Sequence, residues 1–196
     1  MDPARPLAQT LLLVSGFGGL LFLAAFLVLG SVAHPYDPMR QTISDLEFTS
    51  LGFAQRINFS MFGLLLIVFA FALRKELYPG RGARLIPLFQ FLSGIAVIGD
   101  GLFIHNPLHL VFDLITFNSA LLVPLLFAWR CWPHADWKPW AFYSIATSLL
   151  MMLLLTAFGL ANHHSGPAGL MEKLATVPRT LWSVLLTLKL LRGARP

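Results

Sequence analysis

Charged residues are scarce in this sequence, and their scarcity argues against a soluble protein. Only 12% of the 196 residues are Asp, Glu, Lys or Arg, and 57% are hydrophobic, whereas a soluble domain carries about 25% charged residues. A chain of this size cannot bury so much apolar surface in water, and large exposed apolar patches aggregate. Lipid tails accept such side chains, so the composition predicts an integral membrane protein.

Cysteine occurs once, at Cys131. A single cysteine excludes an intramolecular disulfide, a Cys-x-x-Cys redox pair and a thiolate zinc cage. Internal repeats are also lacking, so an inverted-repeat transporter is not indicated. The net charge of +5 comes from basic residues in short loops, a pattern of membrane topology rather than of nucleic-acid binding. The expected partner is therefore membrane lipid and not nucleic acid, and the oligomeric state is left open.

Six apolar segments are long enough to cross a hydrocarbon core of about 30 Å as helices that rise about 1.5 Å per residue. Proline, glycine and tryptophan punctuate the connections between them. The pattern predicts an all-α, polytopic membrane helix bundle of about six transmembrane helices, in a single domain over 1–196 with an uncleaved first helix. The predicted helices span about 7–33, 53–73, 85–104, 108–129, 140–161 and 168–191, and an outer loop at 34–52 contains a short helix.

The distribution of Lys and Arg predicts that both chain ends lie in the cytoplasm. With the N-terminus inside, ten basic residues fall on the cytoplasmic side and four on the other side, as the positive-inside rule requires. We therefore expect a multi-pass protein of the cell inner membrane, N-in and C-in. Five of the six histidines then lie toward the outer face: His34, His105, His109, His163 and His164.

The outer loop contains two overlapping capping-box patterns, at 42–45 and 44–47. Such a pattern starts a helix, because a hydroxyl and a carboxylate satisfy the first free N–H groups reciprocally. Ser44 and Asp45 are thus expected in a short helix across the outer mouth of the bundle. This helix would be either a lid over a pocket or a segment packed at the membrane interface.

Several ionisable residues fall inside the predicted helices, where an unpaired charge is costly. Asp100 lies near the outer end of the third helix, Asp113 lies one turn inside the fourth, and Arg179 lies near mid-membrane. We expect Arg179 to point inward and to meet a carboxylate: Asp100, Asp113, Asp45 or Glu172. Pro178 removes a backbone donor, so a break or a kink is expected there.

The stretch from His105 to Asp113 is the most suggestive of chemistry. Pro107 suits the first position of a helix and Asn106 suits the cap before it. His109 and Asp113 then lie one turn apart on one face. An aspartate in that position can orient the imidazole, or both groups can bind a metal.

Further histidines could complete a metal site at the same face. His163 and His164 lie at the outer end of the fifth predicted helix, and His105 lies just outside the fourth. Together with His109 they offer enough nitrogen ligands for a divalent metal such as zinc. The other interpretation is that these histidines are interfacial or acid–base groups.

Three short motifs resemble a known family. They are Gln41-Thr42-Ile43-Ser44-Asp45-Leu46, Arg56-Ile57-Asn58-Phe59 with Gly63 and Phe69-Ala70, and Gly99-Asp100-Gly101-Leu102-Phe103 followed by His109. Over most of its length the chain resembles domain-of-unknown-function family 998 of bacterial and archaeal membrane proteins. The resemblance implies a six-helix fold and carries no established activity.

Two functional hypotheses follow from these residues. The first is a membrane-embedded hydrolase or transferase that acts on a lipid or another amphiphile, and the second is a protein that binds, senses or transports a polar ligand or protons without chemistry. The candidate catalytic residues are His109, Asp113, Asp45 and Asp100. The candidate substrate-binding residues are Arg179, Glu172, Ser44, Asn58 and Arg56. A blind pocket would favour the first hypothesis, and a wet path to the cytoplasmic side would favour the second.

Overall fold

The structure, a computed structural model, describes residues 4–196 and is all-helical over that range. Two 3₁₀ helices, Ser44–Phe48 and Ala135–Trp137, lie in the connections between longer helices. The α-helices are α1 (Ala4–Gly16), α2 (Gly18–Val32), α3 (Gly52–Leu77), α4 (Leu85–Leu102), α5 (Leu108–Cys131), α6 (Lys138–His163) and α7 (Ala168–Leu191).

The helices α3 to α7 are each long and apolar enough to cross a membrane, although α6 qualifies together with the 3₁₀ turn before it. The bent pair α1 and α2 makes a sixth span if it is counted as one. These findings confirm the predicted polytopic, all-α membrane bundle. The orientation of the chain ends stays a prediction.

The first apolar segment differs from the single helix expected over 7–33. It is divided at Phe17 into α1 and α2, which meet at an angle of 41°. Glycines flank the division, and their missing side chains admit close neighbours. A Cβ atom on Gly18 would lie 2.9 Å from Leu65, and one on Gly19 would lie 2.7 Å from the Thr180 hydroxyl.

Helix α7, by contrast, runs unbroken through Pro178. The expected break there is therefore absent. Neighbouring helices can satisfy the backbone groups that a proline releases within a membrane bundle. A division occurs instead in the first span, where the sequence suggested none.

The two ends of the bundle are distinct. We call the end that contains residues 33–51, 103–107 and 164–167 the loop side, and the opposite end, with residues 78–84 and 132–137, the terminal side. Toward the terminal side the helices are tightly packed, and Leu73, Phe127, Trp182 and Leu186 are completely buried. The polar chemistry lies on the other half of the bundle.

Residues 38–43 of the loop are fastened to the start of α7. The N–H groups of Gly169 and Leu170 donate to the carbonyls of Arg40 and Met39 at 3.2 and 3.0 Å. These loop carbonyls satisfy donors that the first turn of a helix leaves free. The loop that follows α2 is therefore held against α7 by hydrogen bonds and covers the loop side of the bundle.

One of the two predicted capping boxes forms. The N–H of Thr42 donates to Asp45 Oδ2 at 2.7 Å, and the N–H of Asp45 donates to the Thr42 hydroxyl at 3.1 Å. The predicted short helix is present as the 3₁₀ helix Ser44–Phe48. Asp45, a candidate catalytic residue from the sequence, thus has a structural partner.

Candidate functional site

Two aspartates and one histidine converge where α4 ends and α5 begins. Asp100, His109 and Asp113 each offer one ligand atom, and these atoms all lie within 4.8 Å of one another. The short connection at 103–107 returns α5 alongside α4, which brings Asp100 next to the first turns of α5. We call these three side chains the Asp–His–Asp cluster.

The start of α5 fixes the position of His109. Asn106 Oδ1 accepts a hydrogen bond from the N–H of Leu108 at 3.0 Å, although the cap position belongs to Pro107, one residue later than predicted. The helix begins directly after Pro107. His109 and Asp113 then lie one turn apart, with His109 Nε2 3.5 Å from Asp113 Oδ2.

The two ring nitrogens of His109 have different neighbours. Nδ1 lies 3.2 Å from the backbone carbonyl oxygen of Asp100. A carbonyl oxygen can only accept, so Nδ1 carries the hydrogen in this contact. In a neutral imidazole the lone pair is then on Nε2, which faces Asp113. This arrangement, with one nitrogen bonded to a carbonyl and the other free, is the usual one for a metal-binding histidine.

Asp100 is the most buried member of the cluster, with a side chain only 4% exposed, against 33% for Asp113. Its Oδ2 accepts a hydrogen bond from the Thr116 hydroxyl at 2.9 Å. Its Oδ1 is buried and has no hydrogen-bond partner. A buried carboxylate oxygen without a donor is costly, and a cation would satisfy it.

The Asp–His–Asp cluster borders a cavity of about 70 Å³, which we call the loop-side cavity. Asp100, Asp113 and Glu172 line it together with Ser44 from the loop. Glu172 Oε2 accepts a hydrogen bond from the N–H of Ile43 at 2.7 Å. The structure thus brings four sequence-predicted site residues to one cavity.

A second cavity, of about 90 Å³, lies deeper in the bundle, and we call it the central cavity. Its polar end is formed by Gln90 and Arg179, and most of its wall is apolar. The two cavities have six wall residues in common: Phe22, Phe62, Val97, Thr116, Phe117 and Thr176. They are therefore neighbours along the interior of the bundle.

Arg179 points into the bundle but does not meet a carboxylate. Its guanidinium donates to Gln90 Oε1 and lies 4.4 Å from the ring centre of Trp182. Among residues 4–196 no ion pair joins Arg179 to Asp or Glu, so the predicted carboxylate partner is wrong. Gln90 lies on α4, 89 positions away in the sequence. The one sequence signal for it as a partner is that a glutamine is unusual in such an apolar segment.

The other polar candidates at the loop side have local partners. Arg56 pairs with Glu47 at 3.3 Å. Asn58 donates to the carbonyl of Phe22 at 3.2 Å. These contacts join α3 to the loop and to α2, so both residues position the elements around the cavities rather than line them.

Burial makes the Glu47–Arg56 pair sensitive to pH. Burial raises the pKa of Glu47 to about 7, although Arg56 acts in the opposite direction. Burial also raises the pKa of Tyr36, with a further contribution from Glu172. The Tyr36 hydroxyl donates to the Thr42 carbonyl at 2.9 Å, which fixes the loop ahead of Ser44.

The histidine-rich metal set expected from the sequence does not assemble. In the described part of the chain, the Asp–His–Asp cluster is the one group of three potential ligands that lie close together. His105 packs edge-on against Phe48, with ring centres 5.1 Å apart. His163 and His164 lie against each other, with ring centres 4.8 Å apart. The structure therefore brings two carboxylates next to His109 and does not bring these three histidines there.

Comparison with known proteins identifies a family. The family model described as "Protein of unknown function (DUF998)" matches residues 17–189. The match covers most of the chain, so this protein belongs to the DUF998 family. No curated protein and no solved structure matches the chain.

Proposed function

We propose that this member of the DUF998 family is a membrane-embedded, metal-dependent hydrolase that acts on a lipid or a related amphiphile. The observation that carries the proposal is the convergence of Asp100, His109 and Asp113 within 4.8 Å beside a cavity. Three protein ligands leave a coordination position open, as in catalytic rather than structural zinc sites. One imidazole and two carboxylates suit zinc and related divalent transition metals.

The charges around the two cavities support a divalent cation. Asp100, Asp113 and Glu172 line the loop-side cavity, and Arg179 lines the central cavity. When Asp100 and Asp113 are both ionised, they carry two negative charges, and neither pairs with a Lys or Arg side chain among the described residues. Uncompensated charge within a membrane bundle is expensive, and one divalent ion balances both.

The residues around the cluster have distinct roles in this proposal. The Asp100 carbonyl holds the imidazole of His109 so that Nε2 is free, and Thr116 orients the Asp100 carboxyl group. Asp100, His109 and Asp113 would hold the metal, which would supply a Lewis acid for a carbonyl or phosphoryl oxygen and for water. Glu172, which lines the loop-side cavity, would act as the proton acceptor there.

The cavities favour hydrolysis over transport. Below the central cavity lies Trp182, which is completely buried and donates through Nε1 to Ser144 at 2.8 Å. Trp182 also packs edge-on against the buried ring of Phe127. This packed half of the bundle gives the cavities a closed end, whereas a transport path needs a wet route to the other side. We infer that the loop side faces away from the cytoplasm, in accordance with the excess of Lys and Arg on the terminal side.

Metal content tests the first part of the proposal. Full-length protein, purified in detergent without a chelator and analysed by mass spectrometry for metals, is expected to contain about one divalent ion per chain. The variants His109→Gln and Asp113→Asn are expected to lose most of it. His164→Gln is the matched control, because its ring lies outside the cluster, and it is expected to retain the ion.

Activity tests the second part. The purified protein is incubated with total membrane lipid, and the released products are identified by mass spectrometry. Release that disappears in His109→Gln and persists in His164→Gln is expected. Metal-free protein whose stability does not change when zinc is added would contradict the metal site. Metal without product release would favour the alternative function of ligand binding or sensing.

A further inference from the structure

Arg179 is a partly buried cation that has no carboxylate partner among residues 4–196. Its guanidinium lies at the polar end of the central cavity, about ten ångströms below Glu172, since seven helical residues separate them. All the spanning elements except α1 contribute to the walls of this cavity. A guanidinium enclosed in this way needs an anion or water, because neither lipid nor apolar side chains can solvate it.

Two buried donors at this end of the cavity have no acceptor. They are Arg179 Nη1 and Gln90 Nε2. Gln90 is 1% exposed, and its Oε1 already accepts from Arg179. Turning the amide over would place its NH₂ group against the guanidinium, which has only donors. Gln90 and Arg179 line the central cavity, and between them they have unsatisfied N–H groups but no free acceptor.

The residues of the central cavity limit the class of ligand that can bind there. The guanidinium is a planar donor that fits a carboxylate through two parallel hydrogen bonds. The remaining wall is mostly apolar, with Phe22, Phe62 and Leu66 on one side. The shared wall with the loop-side cavity lets one extended molecule lie along both cavities. An anionic group on an apolar chain matches all these features.

We propose that Arg179 and Gln90 bind the carboxylate of a long-chain amphiphile, with its apolar chain in the central cavity. The site is distinct from the Asp–His–Asp cluster. The proposal does not depend on the proposed hydrolase activity.

Equilibrium binding of radiolabelled oleate to the full-length protein in a neutral detergent tests the site. Saturable binding is expected, with competition by unlabelled oleate and little by oleyl alcohol or acetate. Arg179→Gln is expected to weaken binding about 10- to 100-fold, because a charge-assisted hydrogen-bond pair is lost. Arg192→Gln removes a charge from an exposed position on the terminal side and is expected to bind oleate like the wild type.

Gln90→Glu keeps the test informative if Arg179→Gln fails to fold. The new carboxylate would pair with Arg179 within the protein, so this variant is expected to lose oleate binding while its thermal stability is kept or raised. Equal oleate binding by the wild type and Gln90→Glu would overturn the proposal. Competition by oleyl alcohol as strong as that by oleate would also overturn it, since the cavity would then bind the chain and only water would meet Arg179.

Metal analysis of the same samples separates this proposal from the proposed function. Gln90→Glu and Arg179→Gln are expected to keep their metal, because neither residue belongs to the Asp–His–Asp cluster. Asp113→Asn is expected to lose the metal and to keep oleate binding. Loss of oleate binding in Asp113→Asn alone would place the carboxylate at the metal and not at Arg179.

Discussion

The hydroxyl of Thr116 is the smallest group on which the Asp–His–Asp cluster depends. It gives Asp100 a hydrogen bond at 2.9 Å and leaves the other carboxylate oxygen without a partner. The hydrogen bond thus selects which oxygen faces the cluster. Partners of this kind around a metal ligand set its orientation, and their loss commonly lowers metal affinity 10- to 100-fold.

Thr116→Val removes this hydroxyl with almost no change in shape. We expect zinc affinity to fall about 10- to 100-fold, since the Asp100 carboxyl group loses its orientation. The metal-free protein is expected to lose about 1–3 kcal/mol of stability, the usual cost of an unsatisfied buried acceptor. Competitive zinc titration and thermal unfolding measure the two effects. Thr116→Ser keeps the hydroxyl and should behave like the wild type, and a Ser variant as weak as the Val variant would contradict this role.

Glu47 gives the loop a dependence on pH. Its pKa in the folded protein is raised to about 7 from an ordinary value of 4.5. The folded state therefore holds the proton more tightly than the unfolded state, and its contribution to stability falls as the pH rises from about 4.5 to about 7. The loss amounts to as much as about 3 kcal/mol, at about 1.4 kcal/mol for each unit of pKa.

Glu47→Gln tests this dependence, since the amide imitates the protonated acid at every pH. The variant is expected to match the wild type in thermal stability near pH 5 and to exceed it at pH 8. Melting temperatures of both proteins across this range, in one detergent, measure the difference. A constant difference at all pH values would show that Glu47 does not titrate in this interval.

The contacts between individual site residues could be predicted from the sequence only in part. His109 and Asp113 had to share a face once α5 began after Pro107, because residues four apart in a helix are neighbours. The pairing of Arg179 with Gln90 could not be predicted, since it depends on how α4 and α7 are rotated about their axes. A sequence reports the depth of a residue in a membrane helix far better than the direction in which it points.

Two glycines determine how closely the helices α3 and α4 pack. A Cβ atom on Gly63 would lie 2.5 Å from the carbonyl oxygen of Gly94, and one on Gly94 would lie 2.7 Å from that of Gly63. The backbones of the two helices therefore touch. Small residues allow such close packing between membrane helices, where dispersion replaces the hydrophobic effect.

Gly63→Ala would force these helices apart. We expect a loss of about 1–3 kcal/mol, as for other overpacked interiors, measured by reversible unfolding in mixed detergent. Gly159→Ala is the matched control in α6, because a Cβ atom there meets no atom within 4 Å. That change is expected to be neutral or to stabilise by up to about 1 kcal/mol. Equal destabilisation by the two changes would contradict the packing argument.

Most of the helices could be predicted from the sequence, because long apolar runs bounded by turn residues have few alternatives in a membrane. The division at Phe17 was not apparent, since the run 7–33 is continuously apolar on both sides of it. Its cause is tertiary: the glycines near it admit α3 and α7 at close range. The capping box at 42–45 was predictable because its contacts are local.

Charged residues are distributed unequally between the two ends of the bundle, and this distribution predicts the orientation of the chain in the membrane. Basic residues concentrate on the terminal side, and the acidic cavity residues lie on the loop side. Reporter fusions after Tyr78 and Ala135 are expected to be active as cytoplasmic fluorescent proteins. Fusions after His105 and Ser165 are expected to be active as exported phosphatases. The reversed pattern would place the Asp–His–Asp cluster on the cytoplasmic side and exclude a substrate from the outer leaflet.

The fastening of the loop to α7 has a consequence for biosynthesis. A ribosome releases this chain from its first helix onward, and α7 follows every other described helix. Until α7 is inserted, the carbonyls of Met39 and Arg40 lack the N–H groups of Leu170 and Gly169, and Glu172 has not reached Ile43. The loop side of the nascent protein therefore stays open while the other described helices are made. Its polar interior closes only when α7 joins the bundle, so the site forms after all the other described helices.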